Sequence, residues 1–156
     1  MSGQTISFQS TTSPAAAVPL FILSNSTATN QFGVNTLEVG PGPITPVDQA
    51  ADFRVVRSTT AIGSGGTTTV YPTNPNRPVG VIVARYALNS AIGATLPTYT
   101  DILYRIGLHM RANFQWYANI NREWYSLVGA TTNAICLDLT AISATYQFEG
   151  SVVWEE

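Results

Sequence analysis

A chain of 156 residues with a formal charge of −2 is long enough for one self-sufficient domain, and its single cysteine, Cys136, excludes an intramolecular disulfide and a cysteine metal cluster. Only 10% of the residues are charged, and all seven basic residues are arginines scattered singly or in pairs, a pattern that excludes the clustered cations a nucleic-acid partner requires. Polarity comes from Thr, Ser, Asn and Gln, which lose little rotamer freedom when another protein covers them, whereas a covered Lys or Glu loses about 1.5–2 kcal/mol, so the composition suits an assembly subunit.

Period-two alternation runs along the whole chain between closely spaced turn residues and points to an all-β protein. Gln4 to Ser10 places Ile6 and Phe8 on one face, and a second apolar run covers Val18 to Leu23. These are either the first two strands or an extended, uncharged N-terminal arm of about residues 1–15. The stretch Ala15 to Leu23 is interrupted by Pro19, falls short of the ~20 residues that span a bilayer, and has no Lys or Arg before it as a secretory signal has. No membrane partner is therefore expected. Phe32, Val34, Leu37 and Val39 predict a strand that stops at Gly40-Pro41-Gly42-Pro43. Asp52 to Thr60 and Thr67 to Tyr71 predict a hairpin across Gly63-Ser64-Gly65-Gly66. Pro72, Pro75 and Pro78 then forbid regular structure, and Gly80 to Leu88 resumes as a strand. Between Thr100 and Met110, Ile102, Leu103, Ile106 and Met110 fit a helix, while Tyr104, Ile106 and Leu108 fit a strand, and both readings stay open. Four further strands follow over Ala112–Ala118, Trp124–Val128, Ala134–Ile142 and Thr145–Glu155. On the last, Tyr146, Phe148, Gly150, Val152 and Trp154 share one face; Gln147, Glu149, Ser151 and Glu155 share the other. The expectation is a single domain over 1–156, a two-sheet antiparallel β-sandwich of which the jelly roll is one form, carrying the N-terminal arm.

Chemistry-bearing groups are sparse. His109 is the sole histidine, so any Ser/His or Cys/His pair must use it, and no nucleophile elbow is present. Ligand spacing for zinc or calcium is missing, and Asp48 with Asp52 reads as solvated turn carboxylates. Gly63 to Gly66 lacks the following Lys-Ser or Lys-Thr of a phosphate cradle. Catalytic, metal and cofactor sites are accordingly expected to be absent. Cys136, on the opposite side of its strand from Ile135, Leu137 and Leu139, reads as an inert thiol packed against a second layer or a neighbouring subunit. The sequon Asn25-Ser26-Thr27 has no export signal to support it. The aromatic group Phe114, Trp116, Tyr117, Trp124 and Tyr125 serves a core, an interface or a sugar-stacking surface. Alternation assigns Phe114 and Trp116 to the core and leaves Tyr117 and Tyr125 as surface residues. Candidate interface residues are Phe8, Phe21, Tyr117, Trp124 and Tyr125.

The order Arg111-Ala112-Asn113-Phe114-Gln115-Trp116-Tyr117, then Arg122-Glu123, then Gly129-Ala130-Thr131-Thr132-Asn133-Ala134-Ile135, and finally Phe148 with Val153-Trp154-Glu155-Glu156, resembles small virion-module proteins of tailed bacteriophages. The likeness covers about Arg54 to Glu156, with Trp124-Tyr125-Ser126 standing where such proteins carry a more aliphatic strand. The resemblance implies a non-enzymatic decoration or cement subunit on the outer surface of the capsid, with itself, as a homotrimer, and the major capsid protein as partners. Two competitors are a tail-fibre or baseplate tip module that binds a host glycan through Tyr117, Tyr125 and Asn121, and, more remotely, a small hydrolase.

Overall fold

Alternating apolar and neutral polar residues, β-branched or aromatic at many inward positions, give strands and no helix among the described residues of the structure, a computed structural model that describes residues 3–9, 18–25, 31–42, 48–58, 71–72, 76, 83–86, 99–109, 111–119, 123–126, 133–139 and 147–156. The strands are β1 (Gly3–Gln9), β2 (Val18–Asn25), β3 (Gly33–Pro41), β4 (Ala50–Ser58), β5 (Tyr71–Pro72), β6 (Val83–Tyr86), β7 (Tyr99–His109), β8 (Phe114–Tyr117), β9 (Trp124–Tyr125), β10 (Asn133–Leu139) and β11 (Phe148–Glu155). The glycine turn over 63–66, the prolines at 75 and 78, the sequon residues 26 and 27, and residues 121 and 122 lie outside the described residues.

Sheet A runs β5-β1-β11-β3-β8, with β9 also on β3, and sheet B runs β6-β2-β10-β4-β7. Every ladder is antiparallel, and the main pairs are nested: β1 with β11, β2 with β10, β3 with β8 and β9, β4 with β7. A long hairpin wrapped so that successive pairs fall alternately into two sheets has this order, which is the jelly roll. β5 and β6, from the segment between β4 and β7, add to the outer edges of β1 and β2.

The inner faces close on one core. Ile6, Phe8, Leu37, Val39, Phe148, Val152 and Trp154 of sheet A meet Phe21, Leu23, Phe53, Val55, Ile135, Leu137 and Leu139 of sheet B, all buried. Two ring pairs bridge the layers: Phe8 with Phe21 at 5.3 Å between centroids, and Phe53 with Phe148 edge-on at 4.9 Å. Gly150 is a required glycine, because a Cβ there would collide with the Glu38 carbonyl and the Phe8 ring. Cys136 points away from the core into a second buried cluster with Ile22, Val56 and Ala134 on the far side of sheet B. Burial, and secondarily the charge of Asp138, pushes its thiol pKa well above the ordinary value and leaves it a poor nucleophile.

Several expectations are corrected. Residues 3–9 are not part of an extended arm: β1 lies between β5 and β11, and Ile6 and Phe8 are core residues. An uncharged stretch suits a buried strand as well as it suits a covered arm, and the register to β11 decides for the strand. Segment 99–109 is a strand; its bulge opposite Val55/Val56 inserts a residue and shifts the alternation, which is why the apolar spacing also fits a helix. Gln147, expected to point outward, is buried.

Candidate functional site

β8 and β9 are two halves of one ladder on β3. Phe114 to Tyr117 pair with Val39 to Thr36, the Ala118 amide donates to the Asn35 carbonyl at 2.8 Å, and Trp124 and Tyr125 pair with Val34 and Gly33. Between them the chain leaves the sheet and returns with its inward and outward sides preserved. Trp116 and Trp124, eight positions apart, thereby become neighbours on the inward side and stack face to face, with centroids 3.6 Å apart and planes within 7°. Tyr104, on the edge strand of the opposite sheet, closes over them, 5.7 Å from Trp124 and 6.1 Å from Phe114. An aromatic seam therefore joins the two sheets along one edge of the sandwich. Tyr104 stays 42% exposed at this edge, and Ile102, on the same strand and opposite Val56 of β4, is 43% exposed.

Tyr117 and Tyr125 face the other way, onto the outer side of sheet A, and are exposed. The Tyr125 ring covers Gly33, where a Cβ would meet it at 2.8 Å; its hydroxyl donates to Glu123 Oε2 at 3.2 Å, and its carbonyl accepts from Arg57 Nε at 2.6 Å. Tyr117 donates to Glu38 Oε1 at 3.1 Å. Glu38 also accepts from Gln115 Nε2 and Ser151 Oγ, each at 3.3 Å. Both phenols are raised above 10.0: Tyr117 chiefly by its hydrogen bond to Glu38, then by partial desolvation and the charge of Glu38; Tyr125 chiefly by desolvation, then by its bond to Glu123 and the charges of Glu123 and Glu155. Next to Glu38 is a shallow cavity of about 190 Å³, bounded by Gly40, Asn113, Gln115 and Glu149.

Of the five candidate interface residues, Tyr117 and Tyr125 share the outer face of sheet A. Phe8 and Phe21 are corrected to core residues, 3% and 1% exposed, and Trp124, at 8%, belongs to the seam. Phe114 and Trp116, expected in the core, are half-buried against it. The role of Tyr104 and Ile102 went unread because the sequence left helix and strand open there. His109 is exposed at the end of β7, with Nε2 3.9 Å from Asp48 Oδ1, and Arg111 Nε holds the same oxygen at 3.1 Å. Asp48, expected to be a solvated turn carboxylate, is exposed and is the anion of an Arg-His corner. Among the described residues, no three His, Cys, Asp or Glu are placed to hold a metal.

Comparison with protein-family models, with curated proteins and with solved structures gives no match.

Proposed function

We propose that the protein is a non-enzymatic structural subunit of a tailed-phage virion, a decoration or cement protein that associates as a homotrimer and bridges copies of the major capsid protein on the outer shell. The observation that carries this reading is β7, the edge strand of sheet B, on which the apolar Ile102 and Tyr104 are both open to water. Exposed tyrosine and aliphatic groups on a rigid strand are the materials of an interface core. The low charge of the chain supports it, since few ions need to be stripped of water when such an edge is covered. Jelly rolls serve in viral shells as well as in lectins and cupins, so the fold by itself does not choose among them.

Two measurements test the reading. Light scattering on the purified chain is expected to give a trimer, and Ile102→Ser with Tyr104→Ser is expected to shift it toward monomer without loss of fold. Electron microscopy of virions carrying a labelled copy is expected to place label over the shell. A monomer that ignores added capsids, or label confined to the tail, overturns it.

A further inference from the structure

We infer that the outer face of sheet A binds a neutral saccharide, with Tyr117 as the stacking platform and Glu38 as the central hydrogen-bond acceptor. The inference stands independently of the virion reading, because it uses the outer side of the sheet and not the Ile102–Tyr104 edge.

The positions follow from register. Leu37, Val39 and Val152 are buried inward, so Glu38 and Ser151 face outward, opposite one another and in line with Gln115 of β8. Tyr117 pairs with Thr36 but sends its hydroxyl to Glu38, two residues along the neighbouring strand. A tyrosine tied to a diagonal neighbour leans along the sheet rather than standing off it. Its ring is left with a face to water, 59% exposed, while Phe114 and Trp116 of the same strand pack against the core. Flat, rigid and held at its far end, the ring is a preorganised surface for the apolar C–H face of a pyranose.

The polar groups beside it suit hydroxyls. Glu38 is held by three neutral donors and makes no ion pair among the described residues. A carboxylate offers about four acceptor positions, so one remains for an incoming hydroxyl. Beyond it, the cavity of about 190 Å³ brings the amides of Asn113 and Gln115 within reach of the same guest. That volume is below the ~300–1,000 Å³ of a drug-sized pocket and has room for one sugar ring. Gly40 makes room for the Asn113 side chain on the cavity wall, since a Cβ there would strike it.

Charge selects among sugars. Glu38, Glu149 and Glu155 lie on strands of sheet A, which carry no arginine, whereas Arg54, Arg57, Arg85 and Arg105 lie on strands of sheet B, and Arg111, before β8, is engaged by Asp48. A face with glutamates and no arginine on its strands repels sialylated, uronic and sulfated chains and admits neutral ones, whose hydroxyls donate to Glu38.

The test is calorimetric titration of the whole chain with maltohexaose, cellohexaose and chitohexaose as neutral probes and a heparin hexasaccharide as the anionic one. At least one neutral probe is expected to bind, and heparin is not. Tyr117→Ala is expected to weaken binding by roughly tenfold, and Tyr117→Phe, which keeps the ring and loses its tether, by less; both are expected to keep the melting temperature and oligomeric state of the parent. Failure of all three neutral probes, tighter binding of heparin, or equal binding by Tyr117→Ala and the parent overturns the inference. None of these results bears on the edge contact, which Ile102→Ser with Tyr104→Ser reads separately.

Discussion

Trp154 shows what one residue contributes here: its indole is fully buried on the inward side of β11, with Nε1 donating to Glu156 Oε1 at 3.4 Å. Trp154→Ala is expected to cost about 3–5 kcal/mol in denaturant unfolding, and a protein of undiminished stability would show that the site is not a filled core position. Its placement, with that of Phe148 and Val152, was legible in the alternation of the last strand, because the register shift between Val153 and Trp154 puts its extra residue, Asn35, on β3 and leaves the alternation of β11 intact. Phe8 and Phe21 were not: an uncharged stretch is compatible with a core strand and with a covered arm, and only pairing partners, distant in sequence, separate the two. Tyr117 and Trp124 face opposite ways by simple alternation, Trp116 and Trp124 inward and Tyr117 and Tyr125 outward; what no local pattern records is that the two segments share one ladder on β3. The phenols offer a test by pH. Both are raised, so the folded state holds these protons more tightly than the unfolded one; the stabilising contribution is present below the ordinary value of 10.0 and fades as pH climbs through the folded value. Ultraviolet titration is expected to show tyrosines ionising late, and Glu38→Gln is expected to return Tyr117 toward 10.0.

Among the elements, β1 carries the sharpest reversal of expectation. It occupies an interior position of sheet A, paired with β11 through Gly3↔Glu155 to Gln9↔Glu149 and with β5 on its other side. Deleting residues 2–12 therefore removes Ile6 and Phe8 from the core and is expected to abolish the cooperative melting transition. A truncated chain with a native-like melt would return the segment to the role of an arm. β7 illustrates why a strand can hide: the bulge opposite Val55/Val56 shifts the alternation, so Ile106 and Leu108 are buried while Ile102 turns to solvent. The seam is a joint product of β7, β8 and β9, and its strongest link is the Trp116–Trp124 stack. A double-mutant cycle with Trp116→Ala and Trp124→Ala is expected to show coupling of about 0.5–1.5 kcal/mol. Additive losses would mean that the two rings act only through their separate burial.

At the scale of the whole molecule, fold class was readable because strand spacing and turn residues recur throughout the chain, whereas the order of strands in the sheets rests on contacts that no local window contains. Attachment through the Ile102–Tyr104 edge has little Coulomb energy to screen, so capsid occupancy is expected to change little as added salt shortens the Debye length from ~10 Å to ~3 Å. Release of the protein at moderate salt would move the contact to the glutamate-bearing face. The nested pairing has a consequence for the order in which the chain can fold. Closing β4 onto β7 spans the shortest stretch of sequence among the main pairs, and each pair outside it spans a longer one; in the outermost, the bond from Thr5 Oγ1 to the Val152 carbonyl spans 147 residues. Chain-closure entropy grows with span, so the inner pair is positioned to form first and the outer pairs to zip onto it. On the ribosome β1 is made well before the strand it pairs with and must wait for it. Until β11 emerges, β1 has only the two residues of β5 to pair with, and a stalled nascent chain ending before Phe148 is expected to leave β1 open to protease.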